Sequence, residues 1–249
     1  MYKASVIMNT WNQENKGWLQ EAIDSYLNQD NVEIQLIIST VAGDTSMDVL
    51  KSYGSKIDIC LNEKPCIFSQ INKAFKMVKN PWICYAASDD VALPNKVYDE
   101  IKYCIDNDAK VCCSSFYKTD EKLNLGTQFK VQDKFRIETL LKGCYISDCS
   151  MIHESIWAKY GPFDIKMDNM AFWDFWIRIG SEESKAFTFN KDATWLYRQH
   201  SSARHTKRVG NEKKIIKREA ARKRMMRKHV NLLKKHNLEN LLKIDHYKT

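Results

Sequence analysis

Two adjacent carboxylates, Asp89 and Asp90, are the residues of this chain best placed to do chemistry. They follow an apolar run of strand length at 82–87, and Pro94 comes soon after them. Open α/β sheets bind ligands beyond the carboxyl ends of their strands, and neighbouring carboxylates repel each other unless a cation lies between them. A divalent metal ion with oxygen ligands would supply that cation. The alternative is a solvated turn whose aspartates cap a helix.

An alternation of strands and helices must position these carboxylates. Short apolar runs predict the strands, and apolar residues at helical spacing predict the helices between them. The predicted strands are 4–9, 33–39, 56–61 and 82–87, and the predicted helices are 15–27, 44–53 and 69–78. This order predicts an α/β fold with a mostly parallel sheet and helices on both faces. After residue 106 the pattern loosens into strands at 110–117 and 149–153 and helices at 135–141 and 172–179.

The composition is that of a globular protein. With 249 residues, of which 44% are apolar and 11% aromatic, the chain can bury a substantial core. No segment has the length of a membrane span, and the strand-like amino terminus does not match a signal peptide, so we expect a cytoplasmic protein. The eight cysteines lack metal-finger spacing, which favours reduced, buried thiols.

Positive charge is concentrated in the last part of the chain. Residues 204–249 contain 16 Lys and Arg against 4 Asp and Glu, a net charge of +12, so the preceding residues carry −4 of the total +8. The residues at 211–244 include no Gly or Pro and have apolar residues near helical spacing, which predicts one or two basic amphipathic helices. Such a tail can lie on an anionic membrane, contact nucleic-acid phosphates or pack back on the core.

Several short motifs occur in a recognisable order along the chain. The chain has Asn9-Thr10-Trp11-Asn12 at the end of its first strand and Ala87-Ser88-Asp89-Asp90 at the end of the fourth. The full set is 5–12 with 19–29, 69–75, 87–90, 152–164, and 173–178 with 197–200. Together these blocks resemble glycosyltransferase family 2, which usually has Pro-Thr-Tyr-Asn at the first motif and an acidic Asp-x-Asp element at the second.

The resemblance implies a GT-A fold, with a nucleotide-sugar-binding lobe at 1–105, an acceptor-binding lobe at 106–203 and the basic helical tail at 204–249. Such enzymes usually invert the anomeric centre and depend on Mn²⁺ or Mg²⁺, and the expected donor is a UDP-sugar. By analogy the metal ligands are Asp89, Asp90 and His200, although a lone histidine is more often a packing residue. The residues expected to bind the donor are Thr10, Trp11, Asn12, Ser39, Thr40, Gln70, Asn72, Ser88 and Asp89.

The chain departs from the family pattern where the family has acidic residues. Ser39-Thr40 replace the aspartate that reads the nucleotide base, and Ala87 replaces the first aspartate of Asp-x-Asp. A third departure puts Ala171-Phe172 where the family has a Glu-Asp pair.

With that pair missing, Asp174 is the first candidate for the catalytic base, because flanking tryptophans would raise its pKa. Asp168 is the second candidate. Asp174 can alternatively form an ordinary helix salt bridge with Arg178, one turn further on.

The sequence therefore predicts a metal-dependent, inverting glycosyltransferase that acts on a glycan, either a surface polysaccharide or a lipid-linked glycan. Peripheral contact with an anionic membrane through 211–244 would suit that acceptor. One alternative is sugar transfer onto a modified base of phage-type DNA, with the tail bound to phosphates. Another is a catalytically inactive protein of the same fold that binds a glycan or nucleic acid.

Overall fold

A computed structural model describes residues 1–13, 16–201 and 212–243 of the chain. The strands within these ranges are β1 Tyr2–Asn9, β2 Val32–Val41, β3 Asp58–Asn62, β4 Trp82–Ala87, β5 Val91–Ala92, β6 Val111–Thr119, β7 Leu125–Phe129, β8 Met151–His153 and β9 Phe187–Arg198. The α-helices are α1 Lys16–Leu27, α2 Met47–Ser52, α3 Ile67–Ala74, α4 Lys96–Asp106, α5 Ile137–Lys142, α6 Glu154–Tyr160, α7 Ala171–Glu182, α8 Glu212–Lys228 and α9 Val230–Lys235. A 3₁₀ segment, Ile165–Met170, leads into α7.

The first four strands form a parallel sheet of order β3-β2-β1-β4. β1 is buried from Ala4 to Asn9, which explains its continuous apolar sequence, because a central parallel strand is covered on both faces. The carboxyl ends of these strands meet at one edge, where Asn9, Ala87 and the acidic pair lie. The predicted α/β fold is confirmed.

The rest of the sheet is mixed. β8 pairs antiparallel with both β4 and β6, while β9 pairs parallel with β6 and antiparallel with the short β5. β7 adds an antiparallel hairpin strand to β6. The sheet is therefore parallel among the strands of the first half of the chain and mixed in the second half, where β6 and β9 form its longest parallel pair.

Helices cover both faces of the sheet, as predicted. On one face Val6 and Met8 pack in a core with residues of α1, α2 and α4. On the other face Ile7 packs in a second core with residues of α3, α5, α6, α7 and α8. Alternate residues of one strand thus enter opposite cores, as the strand period of two requires.

The boundary between the two predicted lobes lies within this sheet. β4, before residue 105, pairs with β8 after it, so both lobes share one scaffold. The division at 105 and 106 itself stays a prediction. None of the helices in the described ranges is long and apolar enough to span a bilayer. All eight cysteine thiols are free.

The basic tail lies partly outside the described residues, which leave out 202–211 and 244–249. Its described part forms α8 and α9, and α8 packs against the 3₁₀ segment before α7. The apolar side chains Ala221, Met225 and Met226 of α8 are buried in the larger core, and Leu233 of α9 joins them. The apolar side chains in the second half of α8 therefore belong to the core, while Ile216 in its first half is 60% exposed.

Candidate active site

The acidic turn, Asp89-Asp90, follows β4 and is contacted by residues at the end of β9 and just after it. The backbone N–H of Arg198 donates to Asp90 Oδ1 at 2.9 Å, and Arg198 Nε donates to the carbonyl of Asp89 at 2.8 Å. His200 Nε2 lies 3.0 Å from Asp89 Oδ2. The structure therefore brings together Asp89, Asp90 and His200, the three residues predicted as metal ligands from distant parts of the sequence.

The two carboxylates of this turn have different surroundings. Asp90 is buried, and burial together with the neighbouring Asp89 charge raises the pKa of its carboxyl well above the ordinary value, with the Arg198 N–H bond opposing the rise. Asp89 keeps 28% of its side chain exposed. A cation at Asp89 would relieve the repulsion between the two carboxylates.

Asp89 and His200 together offer an oxygen and a nitrogen ligand to a divalent metal ion. Among the described residues, no group of three or more His, Cys, Asp or Glu side chains is arranged to hold a metal ion alone. The two side chains therefore fit a cation that takes its remaining ligands from phosphate oxygens or water.

Aromatic and cationic contacts hold the end of β9 against α1. The ring of Trp18 contacts the ring of His200 at 4.6 Å between centroids, and the Arg198 guanidinium lies 5.1 Å from the centre of the same indole. Arg198 also pairs with the Glu21 carboxylate and is almost fully buried. Sequence reasoning gave no role to Arg198 beyond its place in a motif, because its partners are far away along the chain.

The loop after β1 is fixed by an aspartate that sequence reasoning assigned only to a helix. Asp44 Oδ1 accepts the backbone N–H of Asn12 at 3.0 Å and that of Ser46 at 2.8 Å, while its Oδ2 accepts the Thr40 hydroxyl. Asp44 is buried, so these bonds define the loop geometry. The sequence did contain a signal for this role, because Asp44 closely follows a strand that contains Ser39 and Thr40, two predicted donor-binding residues.

A buried polar cluster lies where β1 and β2 end. Asn9 Nδ2 donates to Gln70 Oε1 at 3.3 Å, and the Ser39 hydroxyl donates to the Gln70 carbonyl at 3.1 Å. Asn9 Oδ1, Thr10 Oγ1 and Gln70 Nε2 are buried atoms without a hydrogen-bond partner. Buried polar groups are normally paired, so these three atoms are exceptions in the interior of the protein, just beneath the edge of the sheet.

The remaining predicted donor-binding residues differ in their exposure to solvent and in their hydrogen bonds within the protein. Trp11 is 42% exposed beside the loop, and Ser88 is partly exposed next to Asp89. Both amide atoms of Asn72 bond the backbone of Phe163, each at 2.9 Å. Asn72 thus ties α3 to the segment before α7, and its donor-binding role stays a prediction.

Asp174, the first candidate base, lies in a cluster of cations. Its carboxylate is fully buried and contacts Arg178 Nε at 3.0 Å, Lys228 Nζ at 3.0 Å and His229 Nε2 at 2.8 Å. Burial would raise the pKa of this carboxyl, but the bonds from His229 and Lys228 and the Arg178 charge lower it below its ordinary value. The predicted rise in the Asp174 pKa is therefore wrong, because the neighbours are cations as well as tryptophans.

The salt bridge between Asp174 and Arg178, which the sequence offered as an alternative, is present. Lys228 at the end of α8 and His229, the next residue, complete the cluster. The catalytic role of Asp174 stays a prediction. Asp168, the second candidate, lies in the 3₁₀ segment with φ 46°, in the left-handed region that aspartate adopts uncommonly. Lys217 Nζ of α8 lies 3.3 Å from its carboxylate.

A small cavity of about 20 Å³ lies between β4 and α7. Such a volume holds about one water molecule. The cavity is lined mainly by apolar side chains, including Ile83, Phe172 and Trp176, and Asp148 is the one carboxylate among its lining residues.

Known proteins share both the sequence pattern and the fold. The family model described as Glycosyl transferase family 2 matches residues 5–161. An uncharacterized glycosyltransferase of Methanocaldococcus jannaschii is 26% identical in an alignment of 227 residues that covers 84% of this chain and 75% of the relative. Another, of Rickettsia prowazekii, is 27% identical in an alignment of 186 residues that covers 70% of this chain and 58% of that relative, which is less than two thirds of it.

Two solved structures have a similar fold. S. aureus TarS 1-349 in complex with UDP-GlcNAc has a TM-score of 0.70 and 14% identity, over 98% of this chain and 72% of that chain. The mannosyltransferase PcManGT from Pyrobaculum calidifontis, in complex with GDP-Man and Mn²⁺, has a TM-score of 0.63 and 11% identity, over 96% and 69%. Because the family model covers more than half of the sequence and the fold agrees, the chain belongs to glycosyl transferase family 2 and is a glycosyltransferase with the GT-A fold.

Proposed function

We propose that this protein transfers a sugar from a nucleotide-sugar donor, of the UDP-sugar class, to a hydroxyl of a glycan acceptor, with inversion at the anomeric carbon. The observation that carries the proposal is the 3.0 Å contact between Asp89 and His200 at the carboxyl edge of the sheet. This contact sets a carboxylate and an imidazole where open α/β sheets bind ligands.

Each group at this edge has a role in the proposal. Mn²⁺ or Mg²⁺ bound by Asp89 and His200 would neutralise the charge on the departing diphosphate. The exposed ring of Trp11 offers a surface for the base of the nucleoside. The TarS complex with UDP-GlcNAc and the PcManGT complex with GDP-Man and Mn²⁺ support this class of donor and metal.

The structure of α8 bears on the acceptor. Ala221, Met225 and Met226 of this helix are buried in the core, so membrane contact through α8 would depend on its exposed basic side chains and on Ile216. We keep a glycan as the acceptor, and an acceptor screen that includes DNA with hydroxylated bases tests the alternative.

A donor screen tests the proposal. The parent protein is incubated with UDP-, GDP- and dTDP-sugars and Mn²⁺, and nucleotide release is measured beside Asp89→Ala and the control Asp133→Ala, whose side chain is 91% exposed. We expect release from at least one donor by the parent and the control, and loss of release in Asp89→Ala. Binding without release would indicate the inactive binding protein, and no binding would refute the proposal.

A further inference from the structure

Trp11 lies in the loop that follows β1, at the carboxyl edge of the sheet. Its side chain is 42% exposed, whereas Thr10 before it is buried and donates its backbone N–H to the Ser39 carbonyl at 3.1 Å. In the proposed function the Trp11 ring contacts the base of the donor nucleoside. A ring binds a base more tightly when its loop already holds it in place, because ordering a mobile loop on binding costs free energy.

Asn12, the residue after Trp11, has an uncommon backbone conformation. Its φ is 47°, in the left-handed region that residues other than glycine adopt infrequently, although asparagine is enriched there. Such a conformation persists where the surrounding structure holds it. Contacts from the rest of the protein must therefore fix the peptide between Trp11 and Asn12.

Two reciprocal hydrogen bonds supply these contacts from the loop after β2. Asp44 Oδ1 accepts the backbone N–H of Asn12 at 3.0 Å, and this N–H belongs to the peptide group that joins Trp11 to Asn12. In return, Asn12 Oδ1 accepts the backbone N–H of Thr45 at 3.2 Å. β1 and β2 are parallel neighbours, so the two loops leave the same edge of the sheet side by side.

Asp44 is itself anchored to β2 and to α2. Its Oδ1 also accepts the backbone N–H of Ser46 at 2.8 Å, and its Oδ2 accepts the Thr40 hydroxyl. The carbonyl of Asp44 accepts the N–H of Met47, the first residue of α2, at 3.0 Å. Leu50 of that helix is fully buried in the core. Asp44 therefore connects the loop after β1 to a helix that the core holds in place.

A carboxylate suits this role because it can accept several hydrogen bonds at once. Ionised, it has two acceptor oxygens and no donor, and bonds to a charged acceptor are stronger than bonds between neutral groups. The Asp44 residue is only 3% exposed, so a ligand in solution has little access to its oxygens. Asp44 is therefore placed to act on a ligand through the loop that it holds, and not by direct contact.

We propose that Asp44 is a positioning residue for the donor nucleoside, which holds the Trp11–Asn12 peptide so that the Trp11 ring is in place before the nucleotide binds. This inference rests on the proposed function. Ser39-Thr40 replace the aspartate with which the family reads the base, and here the affinity for the nucleoside depends on a loop that a later aspartate fixes.

A double-mutant cycle on nucleotide affinity tests this role. Dissociation constants for UDP and GDP are measured by titration calorimetry with Mn²⁺ for the full-length parent, Trp11→Ala, Asp44→Ala and the double variant, with Asp133→Ala as the surface control. Loss of base stacking should weaken nucleotide binding by Trp11→Ala about fivefold or more. We expect Asp44→Ala to weaken it by a similar factor in the parent background and by less than about twofold in the Trp11→Ala background, because changes that act through one contact do not add.

Donor hydrolysis separates positioning from a general structural effect. Asp89 and His200 lie on other elements, so kcat of Asp44→Ala should stay within about threefold of the parent while KM for the nucleotide sugar rises with the dissociation constant of the nucleotide. Asp44→Asn keeps an oxygen acceptor for the Asn12 N–H, and it should retain more affinity than Asp44→Ala. A fall in kcat of more than about tenfold with KM unchanged would assign Asp44 a structural role instead.

The outcomes distinguish the two proposals. A parent that binds no nucleotide would overturn the proposed function, and the inference with it. A parent that binds nucleotide but turns over no donor would overturn the proposed function, while the cycle would still decide the inference. Equal losses from Asp44→Ala in both backgrounds, or a loss below about twofold in the parent background, would overturn the inference alone. If Asp44→Ala does not fold, Asp44→Asn takes its place in the cycle, and additive or absent losses there overturn the inference in the same way.

Discussion

Two aspartate–histidine pairs of this protein have nearly equal distances and opposite surroundings. His200 Nε2 lies 3.0 Å from Asp89 Oδ2, and His229 Nε2 lies 2.8 Å from Asp174 Oδ1. The first pair joins the acidic turn to the end of β9, while the second joins α7 to the residue after α8. The distance between the two groups alone therefore does not tell whether such a pair is structural or is able to bind a ligand.

The charges around each pair make the difference. Asp174 has no exposed surface and contacts Lys228 and Arg178 as well as its histidine, so its charge is neutralised within the protein. Asp89 is partly exposed, and its sequence neighbour is a second carboxylate, Asp90. An excess of negative charge with access to solvent suits cation binding, whereas an excess of buried positive charge around one carboxylate fixes two helices together.

Removal of the Asp174 carboxylate should have the largest effect. Asp174→Ala leaves Lys228, Arg178 and His229 partly buried without their anion, and loss of one partner from a buried ion pair costs about 3–5 kcal/mol. Urea denaturation should show that loss in the free energy of unfolding, with Asp133→Ala near the parent. A loss below about 1 kcal/mol would mean that the cluster does not anchor α8.

Removal of the Asp89 carboxylate should affect chemistry and leave stability nearly unchanged. For Asp89→Ala we expect donor turnover to fall by about 10²–10³-fold, comparable to removal of one electrostatic stabiliser of a transition state. Unfolding free energy should change by less than about 1 kcal/mol. Equal losses of turnover from Asp89→Ala and from a folded Asp174→Asn would show that the two pairs do not differ in their effect on turnover.

Substitution of His200 should have a smaller effect on the same site. His200→Gln keeps a polar side chain near Asp89 but loses the imidazole ligand, so the Mn²⁺ concentration needed for half-maximal turnover should rise about 10-fold. The corresponding change in the other pair, His229→Gln, should leave this concentration unchanged. Titration of donor hydrolysis with Mn²⁺ measures both variants, and a shift in His229→Gln alone would reverse the assignment.

The smallest expected effect is a pH dependence of stability that belongs to Asp174. Because the folded protein lowers the pKa of its carboxyl, the ionised form stabilises the fold above the unfolded pKa of about 3.9, and this contribution is lost as the pH falls through the folded pKa. Asp174→Asn should therefore lose less free energy of unfolding than the parent between pH 5 and pH 3. The free energy of unfolding of each protein is measured by urea denaturation at several pH values. The same change with pH in the parent and in Asp174→Asn would contradict the lowered pKa.

The parallel half of the fold could be predicted because its strands are buried on both faces. Such strands have continuous apolar sequences, and β1 and β4 lie close to the predicted ranges. β9 was not predicted as a strand, because Asn190-Lys191-Asp192 interrupt its apolar pattern with residues typical of turns. Pairing with β6, which shifts register beside Ser114 and Ser115, keeps those residues in the strand.

The site could be predicted where motifs lie next to strand ends. Asp89, Asp90 and His200 were named from the sequence, and the structure brings them together. Asp44 was missed, because it is a single acid in a loop whose position depends on tertiary contacts. For the same reason the sequence could not show that Asp174 has partners from the tail.

The contacts that Arg198 and His200 make with distant parts of the chain also determine when the site can form. Arg198 pairs with Glu21 across 177 positions of the chain, and His200 contacts Asp89 across 111. Contacts of such long range carry a large loop-closure entropy and form late in folding. During synthesis from the amino terminus, the parallel strands β1 to β4 can pair while the site is still incomplete. The acidic turn acquires its histidine only after residue 200 has left the ribosome, so the site stays incomplete in a nascent chain until then.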